Sequence, residues 1–215
     1  MCSDEPSIHS IETHGLVMKL LIKAQALLDS TRKLDFLAPL ALRLYLAPIF
    51  FTAGMNKFNS FPDTVQWFGD MMDGLGLPFP TLMAGLATGT ELVGAAALVL
   101  GLGLRWMTIP MMFTMVMAIV TVHWPNGWLA ISEGMGPFAT DRTMGAIARL
   151  SEAKEILMQN ADYDHITEFG PLVILNNGIE FAATYLIMLL SLFFTGAGRY
   201  VSVDYWIKRR IQSQS

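Results

Sequence analysis

"FPTLMAGLATGTELVGAAALVLGLG", residues Phe79 to Gly103, carries a single ionisable side chain, Glu91. The run is long enough to cross a bilayer core of about 30 Å, which takes about 20 helical residues. Lipid offers the backbone no hydrogen-bond partners, so a crossing segment is either a helix or a strand of a closed barrel. The run has no period-two alternation, which excludes the barrel. Ala38–Lys57, Trp106–His123 and Leu172–Gly196 read the same way. The expected fold is all-α: a polytopic membrane protein built on a bundle of four transmembrane helices.

Composition agrees. The 215 residues are 53% hydrophobic and only 15% charged, richer in apolar groups than an ordinary soluble domain. Orientation follows from the basic residues. With the N-terminus in the cytoplasm, the inner side receives Lys19, Lys23, Arg32, Lys33, Arg105, Arg199, Lys208, Arg209 and Arg210, with Arg43 just inside the first span. The outer side receives Lys57, Arg142, Arg149, Lys154 and most of the acids. The net charge of −4 sums over two unlike faces. Both termini are therefore expected in the cytoplasm, in a multi-pass protein of the inner (plasma) membrane. Trp67, Trp106, Trp124, Trp128 and Trp206 fall near span ends, as interfacial anchors do.

Three regions are expected. Residues 1–37 form a polar tail and an amphipathic helix. In "LVMKLLIKAQALLDSTRK" (Leu16–Lys33), Leu16, Val17, Leu20, Leu21, Ala24, Leu27 and Leu28 recur at helical spacing, with Lys19, Lys23 and Arg32 off that face. Such a helix lies in the inner interface or packs on a soluble partner, the basic flank favouring the interface. No signal peptide is apparent. Residues 38–206 form the membrane domain, and 207–215 a basic tail. The loop 124–171 is long, and "DRTMGAIARLSEAKEILMQNADYDHITEFG" (Asp141–Gly170) places Met144, Ile147, Ala148, Leu150, Ile156 and Leu157 at helical spacing. One or two short outer helices are expected there, capping the bundle or binding a partner.

Cys2 is the only cysteine, so the chain alone performs no dithiol chemistry. No nucleotide motif, metal-ligand cluster or nucleophile–base arrangement is present, and nothing points to nucleic acid. The methionines of the third span (Met107, Met111, Met112, Met115, Met117) read as packing rather than as soft-metal ligands. No bound metal is expected.

The polar residues inside the spans are more informative. At about 1.5 Å per residue, Glu91 is roughly 18 Å from either end of its span, at the bilayer midplane. Glu180 is about 12 Å below the outer end of the fourth span, with Asn176 one turn above it on the same helical face. Lys57 closes the first span on the outer side, and His123 closes the third. A charge at the bilayer centre costs about 2.5–3.5 kcal/mol, so such groups face the interior and find partners. Glu91, Glu180, Lys57, His123 and Asn176 thus form a candidate polar cluster, the alternative being interhelical glue for the glutamates and an interfacial role for His123. Arg43 is expected to snorkel to the inner headgroups. Gly85 and Gly89, four apart, are expected to lie on a face where a neighbouring helix approaches closely.

"RLYLAPIFFTAGMNKF" (Arg43–Phe58), the lone Glu91 in a glycine-rich second span and "TGAGRYVSVDYW" (Thr195–Trp206) resemble the DoxX family of small four-helix membrane proteins. The resemblance covers roughly residues 40–206, with a gap in the third loop. It points to Arg43, Gly54, Lys57, Glu91, Gly198, Arg199 and Asp204. It implies an integral membrane subunit of a quinone-linked redox system, in contact with quinone; the long loop 124–171, where the chain departs from compact members of the family, would be the place for a partner redox protein. A subunit or accessory of an oxidoreductase fits better than a self-contained enzyme. A small transporter or proton/metal conduit, and a non-catalytic anchor for a partner enzyme, are the other readings. Beyond the lipid bilayer, homo-oligomers are left open.

Overall fold

The computed structural model describes residues 8–214, with side-chain surroundings from Met18 onward. Cys2 and the side chains of Leu16 and Val17 lie outside the described residues. Helices make up the fold: α1 (Ile8–Ser30), α2 (Leu37–Asn59), α3 (Phe61–Gly69), α4 (Pro80–Leu100), α5 (Leu104–Ala118), α6 (Asp141–Asn160), α7 (Tyr163–Ile166), α8 (Glu180–Thr195) and α9 (Val203–Gln212). Among the described residues there is no strand, only an isolated bridge between Ile131 and Leu175.

Among the described residues three helices are long and apolar enough to cross a membrane: α2, α4, and α5 with its continuation to Asn126. Their registers follow the expected spans closely. They and α8 contribute to one buried cluster containing Leu46, Phe50, Ala95, Leu98, Leu104, Met111, Leu189 and Leu192. The chain turns between α4 and α5 on Gly101 and Gly103, both in the left-handed region at φ 64° and 58°. A side chain at Gly101 would also meet the Arg43 guanidinium at 2.8 Å.

The fourth stretch departs from expectation. Leu172–Gly196 reads as one span, yet helix begins only at Glu180 and runs 16 residues. At 1.5 Å per residue that is about 24 Å. Residues 174–180 instead pair backbone-to-backbone with 127–132. Ser132 N–H donates to Ile174 C=O at 2.9 Å, Asn176 to Ala130 at 2.9 Å, Gly178 to Leu129 at 3.0 Å and Glu180 to Trp128 at 3.0 Å. Asn177 stands in the left-handed region at φ 58°, which ends helical continuation. Asn176 and Glu180 therefore do not share a helical face.

The close-packing expectation also changes. Gly85 and Gly89 face open space, and a Cβ at either position would have nothing within 4 Å. The close approaches fall at Gly54, where a Cβ would meet Leu92 Cγ at 2.8 Å and Glu91 Cβ at 3.1 Å, and at Gly94, against Met111 Sδ at 2.7 Å. The buried stripe of α4 is Ala84, Thr88, Glu91, Ala95 and Leu98, spaced three or four apart, and both glycines lie off it.

The loop after the third span does carry helix. Thr140 and Thr143 form a reciprocal capping box that starts α6, and α7 follows after a short break. At the other end of the chain, every residue of α1 from Met18 onward is exposed.

Candidate functional site around Lys57 and Glu91

Gly54 lets α2 lie against α4, and Lys57 follows one turn later. The ammonium thereby reaches Glu91, with Nζ 2.8 Å from both carboxylate oxygens. Glu91 is buried and Lys57 is half-buried. The carboxylate that had no cation on its own helix finds one on the neighbouring helix. Withdrawing both charges from water is costly, and the two-point contact is what makes the burial tolerable.

Cavities flank the pair on both sides. One of about 460 Å³ lies against α4 and α5 and is walled by Trp67 and Phe68 of α3, Leu77, Leu86, Phe113 and Met117. The other, about 230 Å³, is bounded by Phe50 and Ala53 of α2 and by Phe181 and Tyr185 of α8. Lys57, Glu91, Met115, Ala118 and His123 line both. Apart from Thr90, Thr114 and Thr121 beside the larger cavity, the walls are otherwise mostly apolar, as in most small-molecule sites. The role of α3 as a wall escapes a reading for long apolar runs, although Pro62 followed by Val65 and Phe68 gives a short helical pattern.

His123 reaches this place through a π-helical segment, Ile119–His123, at the end of α5. Such an insertion shifts the side chains beyond it around the helix axis, and π segments recur at functional sites. Its Nδ1 is 2.9 Å from the Asn177 carbonyl oxygen. The same oxygen accepts from Asn126 Nδ2 at 3.1 Å.

Glu180 and Asn176 are engaged elsewhere and line neither cavity. One Glu180 carboxylate oxygen accepts from the Ala130 N–H at 2.9 Å. Asn176 is fully buried: its Nδ2 donates to the carbonyls of Asn126 at 2.7 Å and Leu129 at 2.6 Å, and its Oδ1 accepts from Arg142 Nε at 3.0 Å. These two residues clasp the loop after the third span, just above His123. The structure thus gathers Lys57, Glu91 and His123, and puts Glu180 and Asn176 in the clasp.

The opposite end of the helices holds the remaining motif positions. Arg43 does not snorkel; it is 1% exposed. Its Nε donates to Leu98 C=O at 2.7 Å and Nη2 to Val99 C=O at 2.8 Å. Nη1 donates to Ala197 C=O at 2.8 Å and Val201 C=O at 3.1 Å. The guanidinium therefore satisfies carbonyls left open at the C-terminal end of α4 and in the segment that joins α8 to α9. Asp204 accepts from the Gly103 and Leu104 N–H groups at 2.7 and 3.2 Å, capping α5. Gly198 leaves room for Pro39, which a Cβ would meet at 2.8 Å. Arg199 pairs with Asp35, and this contact holds its guanidinium above the ordinary arginine value. These positions lock helix ends together.

Among the described residues no group of three His, Cys, Asp or Glu side chains could hold a metal ion. Met111 is buried in the core, and Met115 lines both cavities.

Part of this arrangement is similar to known proteins. The DoxX family model matches residues 38–124. A Bacillus subtilis (strain 168) protein named "Putative oxidoreductase CatD" is 35% identical over 83 residues, which is 39% of this chain and 58% of that protein. The chain thus spans under two thirds of the length of the curated relative it matches. No solved structure matches. Gly198, Arg199 and Asp204 lie beyond the matched residues, whereas Lys57, Glu91 and His123 lie within them. Residues 38–124, the part of this chain that matches the DoxX family model, supply the whole Lys57–Glu91–His123 group.

Proposed function

We propose that this protein is an integral membrane subunit of a quinone-linked redox system, and that the cavity beside Lys57 and Glu91 takes the quinone headgroup. The observation that carries the reading is the buried ion pair, which with His123 puts polar groups on the wall of an apolar cavity of about 460 Å³. A quinone is an apolar ring with two carbonyl acceptors, and its reduced form carries two hydroxyl donors. The third N–H of Lys57 suits a carbonyl; the carboxylate and the imidazole suit a hydroxyl. Exposed Leu86 and Phe113 on the cavity wall suit a molecule that arrives dissolved in the bilayer. The name of the Bacillus relative, an oxidoreductase, supports the redox assignment.

In this reading α8 joins the three long helices in crossing the plasma membrane, and both termini are cytoplasmic. The loop carrying α6 and α7 then faces outward, where a partner that exchanges electrons docks. A reporter fused after Ser215 should be cytoplasmic and one inserted near Glu155 external; reversed signals overturn the orientation.

The decisive experiment is a solvent extract of the protein purified in its native lipid. Quinone should be present at close to one per protein and lost in Glu91→Gln. Its absence, with ion flux in reconstituted vesicles, would favour a conduit. Absence of both would leave an anchoring role.

A further inference from the structure

We propose that Asn177 is a positioning residue that fixes the tautomer of His123, so that the cavity selects a ligand carrying a hydroxyl group. The inference deepens the reading of the Lys57–Glu91 cavity as a headgroup site and rests on it. A carbonyl oxygen only accepts, so an imidazole nitrogen 2.9 Å from the Asn177 carbonyl must carry the proton. Neutral His123 is therefore the Nδ1–H tautomer, and Nε2 is left as an acceptor. The two ring nitrogens point away from each other. Nδ1 is engaged at the loop clasp, which leaves Nε2 as the ring nitrogen free to meet a ligand in the cavities that His123 lines.

The carbonyl is aimed by backbone conformation. Asn177 has φ 58°, a left-handed geometry that asparagine tolerates better than other residues with a side chain. The clasp holds it there. Asn177 N–H donates to Ala130 C=O at 2.9 Å, buried Asn176 grips Asn126 and Leu129, and Glu180 grips the Ala130 N–H. The polar residues that line neither cavity thus act on it through His123.

The consequence for the ligand is a count of donors and acceptors. Two of the three Lys57 N–H bonds are directed at Glu91. His123 Nε2 and the free lone pairs of the Glu91 carboxylate then offer a ligand acceptors on one wall. A phenolic hydroxyl can donate to either, which an ether or a carbonyl of the same shape cannot do.

The test is ¹⁵N NMR of the full-length protein in lipid nanodiscs at alkaline pH. The His123 signals are assigned by their loss in His123→Phe. The native protein should show a protonated Nδ1 and an unprotonated Nε2. Asn177→Gly, which keeps the left-handed backbone, should preserve that pattern; Asn177→Val, or the milder Asn177→Ala, should mix the tautomers. A native Nε2–H tautomer overturns the proposal, as does a Val or Ala variant with the native pattern or a Gly variant that loses it. 4-Pentylphenol should bind about tenfold more tightly than 4-pentylanisole, the worth of one hydrogen bond, at equal concentration in the lipid phase. Equal binding removes the hydroxyl selectivity. The tautomer measurement reads the imidazole alone, so its failure is distinct from an absence of quinone in the lipid extract.

Discussion

Lys57 and Glu91, on neighbouring helices, meet with the ammonium 2.8 Å from each carboxylate oxygen, and Gly54 one turn earlier is what lets the helices come that close. The relationship ties a packing residue to a charged pair and the charged pair to two cavities. It also makes each partner conditional on the other.

That conditionality is measurable. Glu91→Leu leaves the Lys57 ammonium without its carboxylate, and breaking a buried pair costs about 3–5 kcal/mol. The cost here should fall toward the lower end, because the Lys57 side chain keeps 26% exposure. The double variant Lys57→Met/Glu91→Leu should recover most of the lost thermal stability in detergent, yet bind no quinone. Glu91→Gln should fold and still fail to bind. A Glu91→Gln protein that is abundant, stable and fully quinone-loaded would sink the binding role of the carboxylate.

Arg43 should not tolerate lysine. One ammonium has three donors and no planar fork, whereas the guanidinium reaches four carbonyls on two chain segments. Each buried carbonyl left without a donor costs about 1–3 kcal/mol. Arg43→Lys should lower the melting temperature clearly, and Arg43→Met more so. Melting within error of the native protein would mean that water reaches these helix ends.

The small residues of α2 and α4 should separate into two classes. Gly54→Val forces a side chain into Leu92 and Glu91, and overpacking of this kind costs about 1–3 kcal/mol. Gly89→Val meets nothing, and should stay within about 0.5 kcal/mol. Equal loss at the two positions in monomeric, detergent-purified protein would contradict the helix packing described here.

Acid should loosen the segment between α3 and α4. Asp70 accepts from the Met72 N–H at 2.8 Å and the Asp73 N–H at 3.3 Å, and these bonds hold its carboxyl below the ordinary aspartate value. A carboxyl depressed in the folded state adds stability above its unfolded value, about 3.9, and loses it as pH falls through the lower folded value. Protection of the Met72 and Asp73 amides against hydrogen exchange, corrected for intrinsic rate, should therefore drop below about pH 4. Asp70→Asn should weaken that pH dependence; an unchanged profile in Asp70→Asn would show that another group controls the turn.

The three long helices were legible in the sequence because burial in lipid acts on each segment by itself: enough apolar residues in a row suffice, whatever they pack against. The helical pattern of 141–170 was legible for a similar local reason. Glu91 could be singled out as a residue needing a partner, since no cation shares its helix, but the choice among Lys57, His123 and Glu180 depends on how neighbouring helices are rotated and how closely they approach. That choice was made by Gly54, not by the Gly85–Gly89 pair whose spacing looked suited to it. The start of α8 was decided by hydrogen bonds from 174–180 to residues some 50 positions earlier, which replaced two turns that hydropathy alone would have allowed. Arg43 shows the limit most plainly. One residue on a span near the basic side suggests a side chain reaching for headgroups, but four carbonyls from residues 55 to 158 positions away surround it, and only the folded chain brings them together.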